Sequence, residues 1–191
     1  MRKILIGLVL VLAAFPAWAQ NTDAQSKEQQ KNAEQAKQDA IRAENWAQCT
    51  SDDPDLRISG CSAIIQRGNE SMVSLSMAYN NRGIAYNSKH LYDKAIADYT
   101  TVMALSPNNA GVFINRAWAY HLAGRDTEAL PDANKAIDLA PRSASIIETR
   151  AEIYEKLGQR DQAIADYRAA LRLDPDDGRS QQGLQRLGVA P

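Results

Sequence analysis

Cys49 and Cys61 are the only thiols in a chain of 191 residues, and they stand twelve residues apart in the stretch WAQCTSDDPDLRISGCSAII. Side chains of this kind offer four chemistries: a metal site, a redox pair, a nucleophilic thiol or a covalent cross-link. A structural zinc site takes about four ligands, and the only histidines, His90 and His121, lie far along the chain. A redox motif would more often be spaced C-x-x-C. A nucleophilic cysteine needs a base, and none is apparent beside either thiol. No nucleophile–base pair, metal cluster or phosphate loop stands out elsewhere, so the sequence leads us to expect no catalytic residues, no metal and no cofactor.

The first nineteen residues, MRKILIGLVLVLAAFPAWA, start with Arg2 and Lys3, run apolar over residues 4–15 and close on Ala17-Trp18-Ala19. This is the three-part form of a secretory signal peptide, with cleavage expected after Ala19. The apolar run of 12 residues is shorter than the roughly 20 that a spanning helix needs, so no transmembrane segment is expected in the mature chain. No cysteine follows the cleavage site to carry a lipid. Removing Arg2 and Lys3 leaves 20 basic residues against 23 acidic ones, a net charge of −3. A nucleic-acid partner, which usually shows as a basic stripe, is not expected. An exported chain meets an oxidising compartment, which leans the cysteine pair towards a disulfide.

The elements that must position these residues come from an internal repeat. Residues 76–109, 110–143 and 144–177 follow one another without a gap, each 34 residues long. Tyr86, Tyr120 and Tyr154 recur at matching positions, as do Ala95, Ala129 and Ala163, and Pro107, Pro141 and Pro175. Each unit reads as two helices. In the last, Ile147, Ala151, Tyr154 and Leu157 share one apolar face by their spacing of three and four. Gly158 then stops the helix. Ala163, Tyr167, Ala170 and Leu171 line the second helix, which Pro175 ends.

Period and side-chain classes together resemble the tetratricopeptide repeat. The resemblance covers 102 residues and implies an all-α fold, a right-handed α-solenoid of helix-turn-helix units. It divides the chain into a signal peptide (1–19), a polar helical leader (20–41), a degenerate unit (42–75), three clear repeats (76–109, 110–143, 144–177) and a C-terminal cap (178–191). In this family the small residues at two positions, twelve apart, lie where the paired helices come closest: Gly83 with Ala95, Ala117 with Ala129, Ala151 with Ala163. One period back from Gly83 and Ala95 stand Cys49 and Cys61. That registration favours the disulfide, because a bridge needs Cα atoms about 4.4–6.8 Å apart. Pro54 is expected in the turn between the helices of the degenerate unit.

The resemblance also implies a concave surface lined by the first helix of each unit, of the kind that binds extended peptides or partner helices. Its groove-facing positions are Met77, Asn80, Asn81, Ile84 and Asn87 in the first clear unit, and Gly111, Ile114, Asn115, Trp118 and His121 in the second. In the third they are Ser145, Glu148, Thr149, Glu152 and Glu155. The lining thus runs from amide-rich through apolar-aromatic to acidic. Trp118 is read either as an anchor for a partner side chain or as a residue packed into a neighbouring unit or under the leader. The three glutamates could favour a basic ligand, although a solvated helix face is the blander reading. Asn81 and Asn115 occupy the same position in successive units, similar to the asparagine ladder of the repeats in O-GlcNAc transferase. Asn80, Ser145 and Thr149 stand where the carboxylate clamp of chaperone-binding repeats has its cations, so binding of acidic tails in that manner is not expected.

Arg82, Arg116 and Arg150 recur with the same period, and so do Asp98, Asp132 and Asp166. A charge-assisted ladder between helices is favoured over an anion site. Pro131 falls inside the second helix of the middle unit, where a kink or a late helix start is expected. Gly183 and Gly188 are expected to limit the stability of the C-terminal cap. The expected job is binding a protein or peptide as a scaffold or adaptor in the cell envelope, with a Gram-negative periplasm as the compartment. A redox switch at the cysteines and a self-associating structural protein stand as alternatives.

Overall fold

The computed structural model describes residues 17–190, so the basic start and apolar run of the expected signal peptide lie outside the described residues. The described elements are α1 (Ala17–Cys49), α2 (Pro54–Arg67), α3 (Met72–Ser88), α4 (Tyr92–Leu105), α5 (Ala110–Leu122), α6 (Asp126–Leu139), α7 (Ala144–Lys156), α8 (Arg160–Leu173) and α9 (Gly178–Arg186). The chain divides into two compact units, Met1–Arg42 and Ala43–Pro191. Described side chains of the first are nearly all exposed helix surface, supported by i,i+4 bonds such as Gln35 to Asp39 and Gln38 to Glu34. The last turns of α1, residues 43–49, belong to the second unit, together with every later helix. No helix among the described residues is long and apolar enough to cross a membrane.

Within the second unit the sequence sets each helix boundary by local chemistry. Asp53 caps α2 by accepting from the backbone N–H groups of Asp55 and Leu56. Pro54, expected in the turn, is instead the first residue of α2, where a missing N–H costs nothing because no helical partner exists for it. The turns after α3, α5 and α7 share one device. A residue with positive φ, His90, Gly124 or Gly158, lets the next backbone N–H return to the tyrosine carbonyl five residues back. Those bonds are Leu91 to Tyr86, Arg125 to Tyr120 and Gln159 to Tyr154, at 2.8, 2.9 and 2.9 Å. Pro131 gives no late start: α6 begins at Asp126 and is 14 residues long, like α4 and α8. The proline sits on the exposed side, where water can satisfy the carbonyl left without its helical N–H.

Packing follows the repeat. Each helix packs on the next from α2 to α9, and the odd-numbered helices α3, α5, α7 and α9 also touch in series. The intervening α4, α6 and α8 make no such contacts with one another. Helices that touch in series form the inner layer of a curved stack, so the odd-numbered helices line the concave side of an all-α solenoid. Successive cores fill the gaps: Ala95, Tyr99 and Val102 with Val112 and Ala119, then Ala117, Ala129 and Ala133 with Ile153, then Ala151, Ala163 and Tyr167 with Leu184. Gly183 has a packing reason: a Cβ there would lie 2.3 Å from the Tyr167 ring. The cap is thus seated by the very glycine that was expected to weaken it.

Charge-assisted forks tie the layers together. Arg82 Nε and Nη2 donate to Asp98 at 2.8 Å each, and Nη1 donates to Ser62 at 3.1 Å. Arg116 does the same to Asp132, at 2.7 and 2.9 Å, and to Thr100 at 3.0 Å. Arg150 repeats it with Asp166, at 2.7 and 2.9 Å, and Asn134 at 2.9 Å. Each arginine therefore joins its own helix to the second helix of its unit and to the second helix of the unit before. Hydrogen bonds to the aspartates raise all three guanidinium pKa values, against a smaller opposing effect of burial. The degenerate unit carries Gln48 and Ile64 at the corresponding positions and has no such rung.

Its substitute is covalent. Cys49 and Cys61 are joined in a disulfide with a Cα–Cα distance of 4.6 Å. Both are fully buried in a cluster with Ile64, Ala78, Trp46 and Ile65. Gly60 makes this closeness feasible, since a Cβ there would lie 2.5 Å from the Asn45 carbonyl oxygen and 2.6 Å from the Cys49 nitrogen.

Candidate functional site

The concave layer presents Trp118 at its centre, because α5 sits between α3 and α7 in the stack. The indole stacks on the His121 ring, centroids 5.0 Å apart and planes 29° apart. Three clefts share this tryptophan. One of about 440 Å³ lies towards α3, lined by Ile84, Asn87, Ser88, Tyr99, Asn115, Trp118 and Leu122. A second of about 240 Å³ is bounded by Ile114, Asn115, Trp118, Ser145, Thr149 and Arg179. A third of about 290 Å³ is bounded by Trp118, His121, Glu152, Glu155, Lys156 and Arg186. All three touch Trp118, and their linings mix apolar and aromatic side chains with amides and charges.

The amides expected to face a ligand are partly engaged within the fold. Asn81 donates to the Cys49 carbonyl at 3.3 Å, closing the C-terminus of α1. Asn115 donates to Asn80 Oδ1 at 3.1 Å. Thr149 Oγ1 donates to the Ser145 carbonyl at 2.8 Å. Asn87 differs: its Nδ2 reaches the Tyr99 hydroxyl at 3.4 Å, while its Oδ1 is buried and has no hydrogen-bond partner among the described residues. Asn87 lines the largest of the three clefts, but this oxygen is itself shut off from solvent. His121 is fixed by an Nδ1 contact to Asp126 at the start of α6.

The glutamates of α7 are not a solvated face. Glu148 is only 2 % exposed, and the α9 arginines cover all three carboxylates. Arg179 Nε lies 3.0 Å from Glu148 Oε1, and Arg179 Nη2 lies 2.8 Å from Glu152 Oε2. The same guanidinium lies over the Trp118 ring, 5.2 Å from its centroid. Trp118 is therefore covered in part by the C-terminal helix, one that the sequence reading did not consider for this role. Arg186 donates to both oxygens of Glu155 at 2.9 Å, and the Tyr167 hydroxyl adds a bond of 2.6 Å. Arg186, through its hydrogen bond, holds the Glu155 carboxyl below its ordinary pKa. Burial pushes Glu148 the other way, up to about 8, with Glu152 and Asp177 adding to the rise and Arg179 opposing it. Although Arg179 is close, Glu148 Oε1 receives no aligned hydrogen bond.

Among the described residues no group of three or more His, Cys, Asp or Glu side chains could hold a metal ion.

A helical-pair solenoid with small residues at its close contacts, a concave tryptophan and a 34-residue period defines a class, and comparison with known proteins agrees. Residues 76–109 and 144–177 each match a tetratricopeptide repeat family model. The chain carries tetratricopeptide repeats at these two segments. No curated protein matches it. Among solved structures it is similar to the Arabidopsis OM64 TPR domain, with 26 % identity and a TM-score of 0.60, covering 62 % of this chain and 98 % of that one. The second TPR domain of human RPAP3, in complex with the HSP70 peptide SGPTIEEVD, matches at 25 % identity and TM-score 0.59, covering 62 % and 98 %. MamA from Desulfovibrio magneticus RS-1 shares the fold over 78 % of this chain and 82 % of its own, at TM-score 0.68 and 18 % identity.

Proposed function

We propose that this chain is a non-catalytic interaction module that holds an extended peptide or partner segment in its concave groove, centred on Trp118. The observation that carries this reading is the convergence of three clefts on one indole. An aromatic set among partly desolvated polar groups is the usual anatomy of a binding hot spot. RPAP3 supports the general mode, since its domain is described with a chaperone peptide ending in EEVD. The lining here differs in charge: Asn80, Ser145 and Thr149 stand where the clamp cations would be, so acidic tails are not the proposed ligand.

The signal-peptide pattern and a disulfide at the array's first hairpin support export to an oxidising compartment, and a scaffold or adaptor role in a bacterial cell envelope. A redox role for the cysteines has less support, because both are fully buried. The test is affinity capture from envelope extract with the mature chain and with a Trp118→Ala, Asn115→Ala variant of matched helicity. Partners lost from the variant support the groove; identical partners on both baits would overturn it.

A further inference from the structure

Arg179 differs from the ladder arginines and resembles Arg125, which divides its guanidinium between Asp93 and Glu128 and lies over Tyr120; but the carboxylates of Arg125 are exposed, whereas Arg179 covers a buried one. The ladder arginines give a two-bond fork to a single aspartate, and Arg186 does the same to Glu155. Arg179 instead divides one guanidinium between two carboxylates, Glu148 and Glu152, and spreads over Trp118. Its side chain is 52 % exposed, while the Glu148 side chain it touches is 3 % exposed. It is the second residue of the nine-residue α9, and a cation in a first turn opposes the helix dipole. The placement therefore does not serve the helix. Arg179 is one of several ties of α9 to the array, since Gly183 and Leu184 also seat it against Tyr167, and Arg186 binds Glu155.

The site beneath Arg179 is short of hydrogen-bond donors. Two carboxylates share one guanidinium, and one oxygen of the buried Glu148 lacks an aligned donor. An aromatic face beside paired acceptors is the chemistry that recognises a guanidinium or ammonium group. We propose that the space bounded by Trp118, Glu148 and Glu152 is a binding site for a basic side chain of the partner peptide, and that Arg179 occupies it until the partner arrives. This rests on the groove reading above and specifies its ligand class. Exchange of one guanidinium for another keeps both carboxylates compensated, and Arg179 has solvent beside it to swing into.

The test uses peptide-display selection from random dodecapeptides against the full mature chain and its Arg179→Ala variant, with Arg179→Gln alongside and helicity checked for each. The expected result is enrichment of Arg or Lys at one position. A selected peptide, resynthesised, should bind Arg179→Ala more tightly than the native chain. Its affinity should fall about tenfold when Glu152 becomes Gln or when the peptide arginine becomes citrulline, the loss of one charge-assisted contact. Peptides that need Trp118 but carry no basic residue would overturn this site and leave the groove reading standing. Equal affinity for native and Arg179→Ala chains would overturn the exchange. Failure to select any peptide that depends on Trp118 would overturn both.

Discussion

Replacing Cys49 and Cys61 by alanine isolates what the disulfide contributes. The bridge closes a segment of sequence separation 12, for which chain entropy gives about 3 kcal/mol of stabilisation through the unfolded state. Alanine is the apt replacement because Ala117 with Ala129 and Ala151 with Ala163 fill the same two positions in later units, all fully buried. Packing should therefore survive, and the measured loss should be close to the entropy alone. Serine is the contrasting replacement: each hydroxyl would enter a fully buried site, at a cost of about 1–3 kcal/mol if left without a partner. A repeat array can unravel from one end, so the loss should be local. Amide hydrogen exchange is the assay. About 3 kcal/mol corresponds to a rise of roughly 100-fold in exchange for the amides of α2, with those of α7 and α8 unchanged. Unaltered α2 exchange in the alanine pair would refute the staple, and equal acceleration in α8 would refute its locality.

Three further outcomes follow from particular residues. His90 holds a φ of 58° where the later units have glycine; a non-glycine there costs about 1–2 kcal/mol, so His90→Gly should raise the urea midpoint, less what its 2.7 Å contact to the Tyr92 hydroxyl contributes, and a lower midpoint would contradict the argument. Asp132→Asn breaks the middle rung of the ladder and leaves Arg116, 19 % exposed, without its counter-charge; a cost of about 2–3 kcal/mol is expected, below the 3–5 of a fully buried pair, and a change under about 0.5 kcal/mol, the size of an ordinary surface substitution, would show the fork to be ornamental. Glu148 keeps a proton in the folded chain up to about pH 8 that the unfolded chain loses near 4.5, so its contribution falls as pH rises through that window. Glu148→Gln should flatten that decline in urea midpoints between pH 5 and pH 8, and an unchanged slope would show that the decline has another source.

The helical stack was legible because two signals reinforce each other: a strict period, and small residues where helices must approach. The same period located Cys49 and Cys61, since a degenerate unit still obeys the register of its neighbours. The groove was less legible. Register tells which face of a helix a residue occupies, but not which neighbour satisfies it. Asn81 is spent on the Cys49 carbonyl and Asn115 on Asn80 for that reason. Arg179 and Arg186 lie beyond the last full period, but one period on from Ser145 and Glu152, so the same register carried one unit further would have put them on the groove side. The late start expected from Pro131 did not occur, because this proline faces solvent, where water can take the place of the lost helical N–H.

The central claim is that a partner lies in the concave groove. The most direct measurement places a photo-crosslinking amino acid at Met77 or Ser145, exposed on the inner helices α3 and α7, and in parallel at Arg168, exposed on α8 in the other layer. Irradiation in envelope extract should give the same crosslinked partner from both inner positions and none from Arg168. A partner captured from Arg168 and absent from the inner positions would contradict the account.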